Sequence, residues 1–211
     1  VLNLKRDFQF AIPNLAKTFK RRSPCSMCGT VKRYLMNRVA VSLKVDKIAT
    51  GHNLDDFVQY VLKAFITQDW TGLTKLTPVN EPLGLAPPRI KPMVEVSERE
   101  TLAYALLSKI PFYHGKCPYV SHWTIENQIK DFMNSLETEH PGVKLSLARK
   151  FLSEGIKKIM VPIEGEVRAC EICGMPTTGD ICSFCRLISK FLGKEKLREI
   201  LSVLDAISLG S

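Results

Sequence analysis

The chain has 211 residues, 45% of them hydrophobic and 24% charged, enough apolar mass for a full core and one domain with an appendage. Thirty basic against 21 acidic side chains give a net charge of +9; no run of roughly eighteen apolar residues offers a membrane span, and the opening Val1-Leu2-Asn3-Leu4 lacks the apolar core of a secretory signal. Seven cysteines, four of them clustered near the C-terminus, point to metal chemistry in a reducing compartment, the cytoplasm, rather than to a disulfide framework.

Residues 1–33 hold eight basic side chains and one acidic, among them Lys20-Arg21-Arg22. Such an excess is either a solvated basic face or a track for a phosphate backbone. A short apolar-alternating run precedes Phe8, and Pro13 and Pro24 lead into the first cysteine pair. Val31, Leu35, Val39 and Leu43 recur every fourth residue, which predicts a helix with one buried stripe. Cys25 and Cys28 fall at its N-terminus, where the helix dipole attracts negative charge, and only the thiolate form of cysteine is a nucleophile or metal ligand. Lys32 and Arg33 follow closely. On spacing alone this Cys-x-x-Cys reads as metal or cluster ligands, a redox dithiol, or two buried thiols.

Asp46 to Gly51 reads as a short buried strand ending in a glycine. His52-Asn53-Leu54-Asp55-Asp56 follows, then a helix with Val58, Val61, Leu62 and Phe65 on one face. In open α/β sheets ligands bind beyond the carboxyl ends of the strands, which makes His52, Asp55 and Asp56 candidate site residues. Two carboxylates at a helix start also complement the helix dipole with no further role. Residues 68–89, with Pro78, Pro82, Gly84, Pro87 and Pro88, read as a functional lid or a disordered connection. Arg89 to Met93 resembles another strand end, and Ser97 with Glu100 forms a capping box opening a helix expected to bury Leu102, Ala105 and Leu106. Strand alternating with helix predicts an α/β fold, a partial Rossmann-like parallel sheet with helices on both faces.

Cys117 stands alone in a Gly/Pro loop beside His114 and before Pro118. A lone cysteine is usually a small buried residue, but Cys-Pro also occurs in cluster-binding runs. Ile125, Ile129, Phe132, Met133 and Leu136 mark an amphipathic helix; Pro141-Gly142 breaks it, and Leu145 to Ile156 resumes the pattern. Cys170, Cys173, Cys182 and Cys185 form two Cys-x-x-Cys knuckles separated by eight residues, a spacing that closes four thiolates on one tetrahedral ion, zinc for preference. Such a closed site leaves no open position and reads as structural. A final helix carries Leu197, Ile200, Leu201 and Leu204.

Four motifs in one order, Pro24 to Arg33, Ala49 to Asp56, Cys117-Pro118-Tyr119 and Cys170 to Cys185 with its Pro176-Thr177-Thr178-Gly179-Asp180 segment, closely resemble the tRNA 2-thiolation enzymes of the TtuA type. These are relatives of TtcA and of the wobble-uridine thiolases within the adenine nucleotide alpha hydrolase superfamily. The resemblance implies ATP-dependent adenylation of a uridine C2 oxygen, release of pyrophosphate and replacement of that oxygen by sulfur, with the T-loop uridine favoured. It implies a [4Fe-4S] cluster on Cys25, Cys28 and Cys117, whose fourth iron, free of protein ligands, is open to a hydrosulfide passed from a ubiquitin-like thiocarboxylated carrier. Lys32 would balance phosphate or developing negative charge, Asp56 would contact substrate or handle protons, and Gly51 and His52 would lie against ATP/Mg. Partners are then tRNA and the sulfur carrier, with no membrane, and a homodimer is an expectation because such enzymes are often dimers.

The family's Ser-Gly-Gly-x-Asp-Ser phosphate loop and N-terminal zinc segment do not occur in this sequence, so an N-terminally truncated protein that would not form adenylate unaided is expected. The expected division is 1–120 as the C-terminal part of the ATP-pyrophosphatase-like catalytic domain, 121–168 as a helical tRNA-binding or connecting segment, and 169–211 as the knuckle with its helix. Two alternatives stand beside the enzyme. One is a non-catalytic, zinc-stabilised RNA-binding module; the other is a zinc or dithiol protein in which Cys25, Cys28 and Cys117 take zinc with His114 or His52.

Overall fold

The structure, a computed structural model, describes residues 2–74, 76–115, 117–120, 123–159 and 167–207. In chain order its elements are α1 (Leu4–Phe8), α2 (Ile12–Thr18), α3 (Pro24–Ser42), β1 (Ile48–Ala49), α4 (Leu54–Thr67), α5 (Trp70–Thr74), β2 (Arg89–Ile90), α6 (Glu98–Leu107) and α7 (Ile125–Glu139). There follow α8 (Val143–Lys150), a π turn over Phe151–Gly155, α9 (Ile156–Lys158), β3 (Arg168–Ala169), β4 (Pro176–Thr177), α10 (Ser183–Leu192) and α11 (Lys194–Asp205). The protein is mixed α/β and mostly helical, with a small parallel sheet of β1 and β2 and an antiparallel pair of β3 and β4. Among the described residues no helix is long and apolar enough to cross a membrane.

Two compact units divide the chain, Val1–Ile48 with Glu81–Pro88 and Gly165–Ser211, and Ala49–Asn80 with Arg89–Glu164. In the first, α3 packs on α2, α10 and α11. The alternating run before Phe8 folds as the helix α1, because the Asn3 side chain accepts the Lys5 and Arg6 amides (3.0 and 3.1 Å) and so satisfies donors a helix start leaves open. The buried stripe of α3 is turned from the one expected: Met27, Val31 and Tyr34 are fully enclosed, while Leu35 and Val39 are only partly covered. The rotation arises because the deepest partners, Phe184, Leu187 and Ile188, come from α10, a helix the local apolar period cannot see.

In the second unit, each strand of the parallel sheet is followed by a helix. Thr50 N–H donates to the Ile90 carbonyl (2.9 Å), and Leu54 N–H to that of Val96 (2.9 Å), so the turns after both strands are tied together. Both helix starts carry reciprocal caps, Asn53 with Asp56 and Ser97 with Glu100. The core joins Phe57, Val58 and Val61 of α4 to Ile129 and Met133 of α7 and to Phe151. The described part of the 68–89 segment is ordered by α5 and by backbone bonds of 78–80 to β2, with Asn80 N–H donating to Arg89 (2.9 Å) and Lys91 N–H to Pro78 (2.8 Å). The helix α6 differs from expectation: none of its residues is buried, and Leu102 and Leu106 are exposed, because its apolar residues are scattered round the helix rather than gathered in one stripe.

One buried charge pair locks this unit. The Asp55 carboxylate accepts from Lys144 Nζ (2.5 Å) and from the Glu98 amide at the head of α6 (2.6 Å), and the ammonium also donates to Asn134. Burial pushes the Asp55 carboxyl up, but the Glu98 amide and the Lys144 charge outweigh it and hold it below the ordinary range. A carboxylate so depressed contributes fully above its unfolded value and loses that contribution as pH falls through its folded one. Asp55→Asn should therefore cost about 3–5 kcal/mol at neutral pH by leaving Lys144 without a counter-charge, and adding Lys144→Met should recover most of it. Urea titrations check both, and the acid-side loss of stability below about pH 4 should be weaker in the double variant.

Candidate functional site

Three groups of side chains carry chemistry. The first is the C-terminal knuckle pair. β3 and β4 pair Ala169 with Pro176, and Cys170 N–H donates to the Met175 carbonyl (2.9 Å), so the hairpin brings the first two cysteines to its end. Gly174 takes φ +71°, a left-handed turn that lets its N–H donate back to the Cys170 carbonyl (2.8 Å). Cys182 caps α10 and Cys185 lies in its first turn. The four sulfurs fall within 4.8 Å of one another and all four residues are buried. Metal–sulfur bonds of about 2.3 Å in a tetrahedron set the sulfurs about 3.8 Å apart. Cys173 and Cys182 are at 3.8 Å, and amide donors from Cys182 to Cys170 Sγ (3.2 Å) and from Cys185 to Cys182 Sγ (3.4 Å) face the thiolates. Donor set, spacing and outer hydrogen bonds all fit a closed tetrahedral thiolate site. Hydrogen bonds from the Cys182 and Cys185 thiols hold Cys173 well below the ordinary thiol range, and its hydrogen bond to Cys173 pushes Cys182 up to about 12 in turn.

The second group lies at the N-terminal end of α3. Cys25, Cys28 and Lys32 are spaced three and four apart, which puts them on one side of the helix, away from the side that Met27, Val31 and Tyr34 bury. Cys25 and Lys32 are exposed and Cys28 is half-buried. Lys20, Arg21 and Arg22, all exposed, lead directly into this end of the helix. None of these thiols belongs to the four-sulfur group, so they remain a separate donor set.

The third group, in the second unit, sits at the carboxyl ends of the parallel strands. His52, Asn53, Asp56, Phe57, Tyr60 and Lys91 line a cavity of about 80 Å³. Thr50 Oγ1 donates to the Ile90 carbonyl (3.3 Å) and is hydrogen-bonded to His52 Nδ1 (2.8 Å), which ties the imidazole to the strand end. Asp56 Oδ2 accepts the Asn53 amide (3.2 Å). The neighbouring carboxylates of the sequence thus have different positions: Asp55 is an interior lock and Asp56 faces the cavity. A Cβ placed on Gly51 would meet only Met93 at 3.7 Å, so packing within the protein does not demand a glycine there. Lys91 is a site residue missed from sequence. The strand-end rule that selected His52 selects it too, since it follows β2 directly. Its Nζ donates to the Thr77 carbonyl (2.5 Å) and Asn80 Oδ1 (2.6 Å), and burial, then Arg89, lowers its affinity for the proton. Cys117, exposed, opens a turn in the same unit, its carbonyl accepting Val120 N–H (3.2 Å).

No family model matches the chain. Over 178 residues it is 40% identical to the tRNA-5-methyluridine(54) 2-sulfurtransferase of Pyrococcus horikoshii, covering 83% of this chain and 55% of that protein. Over 202 residues it is 38% identical to the Thermus thermophilus protein of the same name, covering 95% and 62%. The solved U34-tRNA thiolase NcsA of Methanococcus maripaludis, described with its [4Fe-4S] cluster, superposes with a TM-score of 0.62 at 34% identity, covering 82% of this chain and 54% of that one. The chain is a homologue of the tRNA 2-thiolation sulfurtransferases. It spans roughly half to three-fifths of the length of these thiolation proteins. A more distant relative of the chain is the cytoplasmic tRNA 2-thiolation protein 1 of Dictyostelium discoideum, at 28% identity.

Because a metal held by four cysteines contributes its binding free energy directly to folding, Cys185→Ala should abolish metal retention and lower the melting temperature by about 10 °C or more. Thermal unfolding beside elemental analysis checks it. An unchanged melting point with full metal content would rule the site out.

Proposed function

We propose that this chain is part of a cytoplasmic, ATP-dependent tRNA uridine 2-sulfurtransferase, with zinc on Cys170, Cys173, Cys182 and Cys185 and a [4Fe-4S] cluster on Cys25, Cys28 and Cys117. The observation that carries this reading is the partition of the cysteines: four close on one another, and the remaining three lie outside that group, in a chain whose solved neighbour is described with such a cluster. Three thiolates suit a cluster that keeps one iron open, and bound there it would supply a site for the sulfur that enters the nucleoside.

The residues of the chain take the remaining roles. The exposed Lys20-Arg21-Arg22 run gives the tRNA backbone a cationic approach to the end of α3. ATP/Mg would lie against Gly51, where a Cβ would meet only Met93 at 3.7 Å, and His52, whose ring is held by Thr50 through Nδ1. Attack of the uridine C2 oxygen on the α-phosphorus forms the adenylate and releases pyrophosphate; Lys32, on the cysteine face of α3, offsets the negative charge that develops. Sulfur then attacks C2 and AMP leaves with the former carbonyl oxygen, restoring the aromatic base. Asp56, at the mouth of the strand-end cavity, orients the base or takes a proton in that step. The sulfur donor is a ubiquitin-like thiocarboxylated carrier, and two copies of the enzyme form a dimer. The relatives named for uridine 54 are 40, 38 and 37% identical, which favours the T-loop uridine over the wobble position.

Protein prepared without air and reconstituted with iron and sulfide should hold about four iron, four sulfide and one zinc per chain. Zinc alone, with no iron taken up, would replace the enzyme reading by a metal-stabilised RNA-binding module. In the full-length protein, Cys25→Ala, Cys28→Ala or Cys117→Ala should abolish thiolation while leaving the fold intact. Lys32→Ala and Asp56→Asn should slow single-turnover thiolation by about 100-fold or more with tRNA affinity unchanged, read by nucleoside mass spectrometry beside a gel shift.

A further inference from the structure

The segment that follows α6 in the second unit leads toward Cys117 and carries aromatic side chains of its own. Tyr113 is 87% exposed. Exposure alone would mean little, because single apolar side chains stand on most protein surfaces. What sets this ring apart is its seat. Its hydroxyl end lies over the backbone of Gly115, where a Cβ would overlap the hydroxyl and the ring carbons beside it, so that only glycine leaves room for the approach. Phe112 and His114, on either side of Tyr113 in sequence, turn to each other instead, with ring centroids 4.2 Å apart. The Tyr113 ring is thus carried on backbone while most of its surface stays open.

The sequence around it favours one kind of occupant. Residues 101–124 hold no acidic side chain, while Lys109 and Lys116 are basic and His114 and His122 can take up a proton. Trp123, toward the end of the same stretch, is likewise 87% exposed. Open aromatic rings interleaved with basic side chains suit unstacked nucleobases, since the rings stack on the bases and the cations offset the backbone phosphates. Position adds to composition. Cys117 stands two residues beyond Gly115, at most about 7 Å away along the chain, so a base laid on Tyr113 arrives beside a thiol assigned above to sulfur transfer.

We propose that Tyr113, seated on Gly115, is the stacking platform for one unpaired base in the tRNA loop that carries the target uridine. This rests on the reading that the protein acts on tRNA, as proposed above. Chemistry on a base requires its release from the stack of its neighbours, and an aromatic side chain replaces part of the stacking that is lost. Every base has a π-face, so the contact grips the loop without reading its sequence. Tyr113 is a positioning residue: it holds the RNA and takes no part in making or breaking bonds.

Tyr113→Ala in the full-length protein should lower tRNA affinity about 5- to 100-fold in a gel shift, with the melting temperature unchanged because the ring buries little. The slope of log affinity against log salt should stay that of the wild type, since a stacked ring neutralises no phosphate. Tyr113→Phe, which keeps the π-face, should bind within about twofold of the wild type. Gly115→Ala keeps the tyrosine but pushes its ring off the seat, and should weaken binding in the same direction. Unchanged affinity in Tyr113→Ala, a changed salt slope, or an equal loss in Tyr113→Phe overturns the stacking platform. So does a lost dimer with tRNA affinity intact, which would make the ring a protein contact. Wild-type protein that fails to bind tRNA would overturn the tRNA reading, and the platform with it.

Discussion

Four buried sulfurs within 4.8 Å of one another are the constraint on which the first unit depends. Apolar packing has no reason to gather them, because thiols packed together gain little over any small side chain and, once charged, repel. A divalent ion held there would reverse the sign of that repulsion. The four sulfurs bring together a hairpin end, where Cys170 and Cys173 lie, and a helix start, where Cys182 and Cys185 lie, closing a loop of short length at small entropic cost. α10 leaves from this knot, α11 folds back beside it, and α3 packs on both. The core of the first unit is thus built outward from the four-cysteine knot rather than from a sheet.

On that footing α3 is a helix with two working sides. One is buried through Met27, Val31 and Tyr34 and is fastened by Arg38 to Cys173 and Asp205 and by Ser42 to Leu204. The other presents Cys25, Cys28 and Lys32. A 19-residue helix pinned along its later turns cannot slide or rotate without breaking several of these contacts at once. Its first turns inherit that rigidity, since Cys28 stands about 9 Å along the axis from Tyr34. In the second unit the pair formed by Asp55 and Lys144 does comparable work. By anchoring the starts of α4 and α6 it leaves the adjacent Asp56 with no structural task beyond its cap on Asn53, and therefore available to the cavity.

What the sequence revealed and what it hid divides along contact range. Both knuckles, the capping box at Ser97 and the strand-turn-helix order were legible, because each is set by residues within a few positions of one another. The packing of Tyr34 on Phe184 and the bond of Arg38 were not, since Arg38 meets Cys173 across 135 positions of sequence. Asp55 and Asp56 looked equivalent because what separates them, Glu98 and Lys144, lies 43 and 89 residues away. The exposure of Leu102 and Leu106 is a failure of another kind. Apolar residues scattered round α6 define no stripe, so propensity and capping specified a helix without specifying what it packs against.

The long separation between α3 and its partners also bears on how the first unit reaches its fold. The knuckle contacts span sixteen residues and are local, whereas docking α3 closes loops of well over a hundred. Local contacts form first on loop-entropy grounds, and the late, long-range step is then the packing of α3 onto a platform that the knuckles and α10 have already made. Pro24 at the first turn favours the start of α3. Its placement depends on the knuckles, since the stack on Phe184 and the bond from Arg38 to the Cys173 carbonyl exist only once they have closed. The thiols at the start of the chain are accordingly held in position by cysteines near its end, even though the two sets share no ligand.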